Sequence, residues 1–88
     1  MTLPELQAYV AEKLVARKLV QPLPNAALHL VEEVGEVARA IRKGDQANLA
    51  EELADCLFLL LTTANAAGVD LAEAFAEKEK RNTVRFGA

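Results

Sequence analysis

The chain has 88 residues, 52% hydrophobic and 26% charged, with a formal net charge of −3. That composition excludes a disordered chain, and the length fits one domain spanning residues 1–88. The acidic balance excludes a general binding surface for nucleic-acid polymers, and a chain this short buries little of its surface alone, which favours an oligomer.

The N-terminal residues Met1-Thr2-Leu3-Pro4-Glu5 lack the basic region and apolar stretch of a signal peptide. No apolar run approaches the ~20 residues needed to cross a bilayer, so no membrane association is expected. The single cysteine, Cys56, lies in an apolar run and reads as an inert buried thiol. This usage suits a reducing compartment, and the expected location is cytoplasmic.

Helical periodicity dominates the chain, and strand-like alternation does not persist. Thr2 and Glu5 have the spacing of a capping box, with Pro4 acceptable in the first turn. The first helix then presents Leu3, Leu6, Val10 and Leu14 on one side and is expected to end near Leu19. Pro22 and Pro24 break the chain. A second helix follows from about Pro24 or Asn25 to Lys43, with Val31, Val34, Ala38 and Ile41 as its apolar stripe. Arg42 and Lys43 suit its negative end, and Gly44 suits the position just beyond. Asp45 caps a third helix that runs to about Ala67 and is apolar nearly all round from Leu53 to Leu61. Such a helix must be covered on most sides, which is easier with a second subunit. Asp70 and Glu73 form a second capping box and open a helix with Leu71, Ala74, Phe75 and Lys78. Phe58 and Phe75 read as core. The tail from Arg81 to Phe86 follows. The expected fold is all-α: a four-helix, antiparallel bundle-like protomer that oligomerises through its helices.

Two acidic pairs carry the chemistry. Glu33 and Glu36 are three apart on the second helix, and Glu52 and Asp55 are three apart on the third. That spacing aims each pair at one point. Helices joined by a short turn lie antiparallel, so the pairs can meet as four oxygen-bearing groups around a hard divalent cation, Mg²⁺ or Mn²⁺. Glu33 and Glu36 alone also fit a solvated acidic face. Asp55 sits among Leu53, Cys56, Leu57 and Leu59, and Glu52 and Asp55 share a wheel direction with Leu59. That direction is expected to be at least half-buried, where a carboxylate needs a partner. An ion pair with Arg39, Arg42 or Lys43, or a side-chain cap, is the alternative to a metal. Glu32 adjoins the first pair as an outer ligand or a base that orients water. His29 lies one turn before Glu33 as a ligand or, more simply, its hydrogen-bond partner. The Glu-x-x-His motifs of di-iron bundles are absent, which disfavours redox iron. Lys78, Asn82 and Arg85 share a face if the last helix continues, and with Arg81 they offer donors for phosphate or a basic turn that complements the helix dipole.

Together these residues resemble the all-α NTP pyrophosphatase superfamily, in particular its MazG-like branch. That family is marked by EExxE followed by ExxD, here Glu32-Glu33-Val34-Gly35-Glu36 and Glu52-Leu53-Ala54-Asp55. The likeness continues through Gly68-Val69-Asp70-Leu71 and Lys78-x-x-x-Asn82-x-x-Arg85-Phe86 and covers roughly Asn25 to Phe86. It implies a Mg²⁺-dependent hydrolase that splits a nucleoside triphosphate between its α and β phosphates. Glu33, Glu36, Glu52 and Asp55 would be the metal ligands, Glu32 would lie near the attacking water, and Lys78, Asn82 and Arg85 would handle phosphate. Asn25 falls where related dCTP pyrophosphatases place a residue near the nucleotide. The resemblance also implies a homodimer or a dimer of dimers. The chain departs from some relatives in its minimal loop between the motif helices, from Lys43 to Asn48, and in having no Trp to stack a base. Base recognition is left unassigned, with the first helix or a partner subunit as the sources.

Overall fold

The computed structural model describes all 88 residues, Met1–Ala88. Four helices and no strands make up the chain: α1 Leu3–Ala16, α2 Leu23–Lys43, α3 Gln46–Ala66 and α4 Leu71–Phe86. Local chemistry sets most of their ends. The Thr2 hydroxyl accepts from the Glu5 amide at 3.2 Å, and the Glu5 carboxylate accepts from the Thr2 amide at 2.9 Å, completing the expected capping box. Asp45 and Asp70 cap α3 and α4 through the Asn48 and Glu73 amides, each at 3.1 Å. Gly44 follows α2 in the left-handed conformation at φ 68°.

Helix α1 stops at Ala16, short of the expected Leu19. Lys18 takes φ 58°, the Leu19 amide donates to the Leu14 carbonyl at 2.8 Å, and the Lys18 amide donates to Val15 at 3.1 Å. This is a Schellman closure in which Lys occupies the position usually given to glycine, and nothing in residue type announces it. Helix α4 continues through the residues expected as a tail and ends at Phe86, so Lys78, Asn82 and Arg85 do share a helical face.

Helices α2 and α3 form an extensive antiparallel pair, and α1 packs across α3. The core is small. Val10, Leu14 and Leu61 form its centre, with Leu3, Leu6, Phe58 and Leu71 packed around them. The face that α2 turns to α3 differs from the expected stripe. The seam consists of Ala26, Leu30, Glu33, Val37 and Ala40, with Ala27 and Glu36 half-buried beside it, whereas Val31, Val34 and Ile41 are exposed at 68%, 54% and 61%. The 3–4 spacing of the packed set is that of a helix–helix seam. On α3 the matching seam is Leu49, Glu52, Cys56, Leu59 and Thr63. Each seam therefore carries one glutamate where a core residue would normally stand. The rest of α3 is less covered than its composition suggests, since Leu53, Leu57 and Leu60 are exposed.

Helix α4 leaves α3 at 97° and contacts chiefly α1. Gln7 fixes this junction. Its amide donates to the Val69 carbonyl at 2.6 Å and accepts from the Leu71 amide at 3.2 Å, while its own carbonyl accepts from Asn65 at 3.0 Å. None of α4 is fully buried, and Phe75, expected in the core, is 65% exposed. Beyond Leu71 the helix has left the body of the protein. No single helix is long and apolar enough to cross a membrane.

Candidate metal centre

The antiparallel pairing of α2 and α3 brings their seam glutamates face to face. Oxygens of Glu33, Glu52 and Asp55 all lie within 4.8 Å of one another. Glu33 and Glu52 are half-buried between the helices. Asp55 is exposed at the open edge, contrary to the burial expected from its apolar neighbours, because its wheel position lies about 80° from the middle of the seam. The fourth expected ligand, Glu36, is half-buried one turn along α2 and sits 3.9 Å from Arg39. Neither Glu52 nor Asp55 forms an ion pair, so the structure lacks the salt bridge proposed as the alternative explanation of these acids.

Glu52 bears the electrostatic cost. One of its oxygens, Oε2, is buried with no hydrogen-bond partner. A hydrogen bond shared with Glu33, desolvation, and the charges of Glu33, Asp55 and Glu36 push its carboxyl up to about 7 from the usual 4.5. An orphaned buried oxygen and crowded like charges are what a divalent cation would relieve, so these residues fit such an ion. Desolvation and the charges of Glu33, Glu52 and Asp55 also raise the Cys56 thiol, which favours its protonated form, although Cys56 is half-buried on the seam rather than buried as expected.

Around this cluster, His29 Nε2 stands 3.7 Å from Glu33 Oε1, outside the three-carboxylate group and too far for the hydrogen bond expected of it. Glu32 is exposed on the neighbouring flank of α2. Asn25 is exposed in the first turn of α2, about 12 Å along the axis from Glu33. Lys78, Asn82 and Arg85 are carried off on α4. The residues that do adjoin the carboxylates come from a segment without any motif. A cleft of about 580 Å³ opens beside Glu33, Asp55 and His29, walled by Phe58 and Leu59 and by the α1–α2 turn with Lys18 and Gln21. Its size suits a nucleotide-scale ligand. The one sequence signal was the two-proline break after Gln21, which fixes how the turn comes back over α3.

The fold and site define an all-helical protein whose facing acidic seams form a carboxylate cluster that fits a divalent cation, at the edge of a cleft. Residues 21–85 match the MazG nucleotide pyrophosphohydrolase domain. The chain is also 39% identical over 73 residues to a phosphoribosyl-ATP pyrophosphatase of Methylobacterium nodulans, an alignment covering 82% of this chain and 68% of that protein. The chain belongs to the MazG nucleotide pyrophosphohydrolase family. Its class of activity is therefore that of a nucleotide pyrophosphatase.

Proposed function

We propose that this chain is a Mg²⁺-dependent nucleoside triphosphate pyrophosphohydrolase, with Mn²⁺ as a substitute ion. It adds water across the bond between the α and β phosphates of a ribo- or deoxyribonucleoside triphosphate and releases the monophosphate and pyrophosphate. The cellular role is nucleotide-pool house-cleaning in the cytoplasm, by a homodimer or a dimer of dimers. The observation that carries this reading is the partnerless Glu52 oxygen beside Glu33 and Asp55 at the rim of the cleft.

In this reading Glu33, Glu52 and Asp55, with Glu36 one turn along α2, would hold the ion. The ion supplies charge neutralisation on the phosphates and an activated water. Glu32, on the flank of the same helix turn, would orient the attacking water and accept its proton. The α1–α2 turn and Phe58 receive the nucleoside, and seating it there excludes water from the cleft and fixes the α phosphate against the carboxylates. Asn25 lies near the nucleotide, while Lys78, Asn82 and Arg85 bind phosphate oxygens and stabilise the leaving pyrophosphate.

The likeness to a phosphoribosyl-ATP pyrophosphatase supports a second substrate reading. Phosphoribosyl-ATP presents the same kind of anhydride bond, with a base enlarged by a sugar phosphate. The test is a product assay over ribo- and deoxyribonucleoside triphosphates and phosphoribosyl-ATP, with Mg²⁺ and with EDTA. Metal-dependent monophosphate and pyrophosphate from a triphosphate support the proposal. Turnover of phosphoribosyl-ATP alone establishes the second reading. Diphosphate and phosphate as products overturn the bond assignment, and no turnover at all leaves a non-catalytic nucleotide- or metal-binding module.

A further inference from the structure

The cleft beside the carboxylates is lined by one lysine and no arginine. Lys18 borders it together with Glu33 and Asp55, whereas Lys78, Asn82 and Arg85 do not. A nucleotide laid against the Glu33, Glu52 and Asp55 cluster brings further negative charge to it, and a bound ion offsets only part of the total. Phosphate oxygens that the ion leaves uncovered need donors. In this cleft Lys18 is the only donor whose charge does not depend on pH near neutrality.

The backbone at Lys18 is out of the ordinary as well. It is the only residue other than glycine with a left-handed conformation, at φ 58°. Gly44, Gly68 and Gly87 make the comparable turns after α2, α3 and α4, where the missing Cβ removes the steric cost. After α1 the cost is kept. The closing hydrogen bonds, from the Lys18 amide to Val15 at 3.1 Å and from the Leu19 amide to Leu14 at 2.8 Å, are main-chain bonds that glycine would make equally. The turn itself therefore gives no reason for a lysine.

Neither do its neighbours. The other basic residues at this end of α1 are engaged with aromatic rings, Lys13 at 5.4 Å from the Tyr9 centroid and Arg17 at 5.8 Å from that of Phe58. Lys18 has neither a ring nor a carboxylate partner. Its charge does complement the negative end of α1, but Lys13 and Arg17 already stand there. Strain that the fold does not need, at the rim of a site, points to a role toward the ligand.

We propose that Lys18 binds the α phosphate of the nucleotide from within the same chain. Leu19 and Val20 follow it directly in the cleft wall and supply apolar surface for the nucleoside, while Glu33 and Asp55 lie on the carboxylate side. A residue that borders both regions meets the phosphate that joins them. This inference rests on the pyrophosphohydrolase reading for the substrate.

The test compares three substitutions. Lys18→Asn removes the charge but tolerates the left-handed turn, Lys18→Gly relaxes the turn as well, and Lys18→Arg keeps the charge. With Mg²⁺ and the triphosphates that the parent cleaves, kcat/KM should fall about 10–100-fold in the Asn and Gly variants, by a similar factor for every base. Lys18→Arg should recover most of the loss, and one no better than Lys18→Asn refutes a role for the charge. Calorimetry on the Mg²⁺-loaded protein, with the four ribonucleoside monophosphates and the corresponding nucleosides, reads the contact without turnover. The phosphate should strengthen binding to the parent, and Lys18→Asn should lose that gain while holding the nucleoside as before. Turnover and monophosphate affinity that both match the parent in Lys18→Asn overturn the assignment and leave the enzyme reading standing. A loss that varies with the base, or that falls equally on the nucleoside, puts Lys18 on the base and overturns it too. Lost turnover with unchanged monophosphate affinity moves the contact to the leaving pyrophosphate, again against the proposal. A parent that hydrolyses nothing yet shows the Lys18-dependent gain sinks the enzyme reading and keeps the phosphate contact.

Discussion

Replacing Glu52 by Gln separates the two states of the acidic cluster. In the folded chain the hydrogen bond to Glu33, desolvation and the charges of Glu33, Asp55 and Glu36 hold this carboxyl at about 7, against 4.5 ordinarily. Without a cation, the native state therefore keeps a proton that the unfolded chain has already lost between those values. Native protons in excess mean that stability is fully present below about pH 4.5 and declines as pH rises to about 7. Glutamine cannot ionise, so the metal-free variant should melt above the parent at pH 8 and alongside it near pH 4.5. A cation reverses the order. At pH 7 the parent carboxyl is about half protonated, so binding should expel about half a proton, more at lower pH and almost none at pH 9. Titration calorimetry with Mg²⁺ or Mn²⁺ in two buffers of different ionisation enthalpy measures that number. At one hundred times Kd a bound cation stabilises by about 2.7 kcal/mol, roughly 10–20 °C in Tm for a chain this size, and Glu52→Gln should lose most of it. The reasoning fails if the parent's binding heat is the same in both buffers at pH 7. It fails equally if the metal-free variant melts below the parent at pH 8.

Three further substitutions test how the site is held. Leu61, fully buried against Val10 and Leu14, should cost about 3 kcal/mol in urea unfolding when changed to Ala. Gln7→Ala removes both side-chain bonds at the α1–α4 junction, and a loss of about 1–3 kcal/mol is expected. Amide exchange should then quicken in α4 before α2 and α3, and uniform acceleration would show that Gln7 does not orient α4 specifically. Lys18→Gly relieves a left-handed residue at φ 58° and should stabilise by about 1 kcal/mol. A lower Tm in that variant would mean that contacts of the Lys18 side chain outweigh the backbone strain.

Local chemistry made most of the helices legible in advance. Caps at Thr2, Asp45 and Asp70, the prolines at 22 and 24, and Gly44 act over three or four residues, so their effect is written in the neighbouring letters. The approach of Glu33 to Glu52 and Asp55 was legible for the same reason, since i, i+3 spacing and a short turn already imply facing carboxylates, whereas Glu36, expected with them, lies beside Arg39. The apolar stripe of α2 was misread because hydrophobicity points at whatever surface is covered. The packed seam of α2 gives a core position to Glu33, while the more hydrophobic Val31, Val34 and Ile41 face outward. Sequence alone cannot distinguish a face covered by the same chain from one left open in it.

By itself, then, the sequence determined the all-α fold, most helix boundaries and the pairing of acids across α2 and α3, because each depends on contacts near in sequence or on one short turn. The tertiary structure decided which acids meet. Glu33, Glu52 and Asp55 converge while Glu36 turns to Arg39. It also decided that Lys18 and Gln21 border the cleft and that α4 leaves α3 at 97°. Those outcomes depend on the crossing of helices and on three hydrogen bonds of Gln7 to residues about sixty positions away. Neither is encoded in any local run of residues, because orientation between elements is set by side chains distant in the chain and adjacent only after folding.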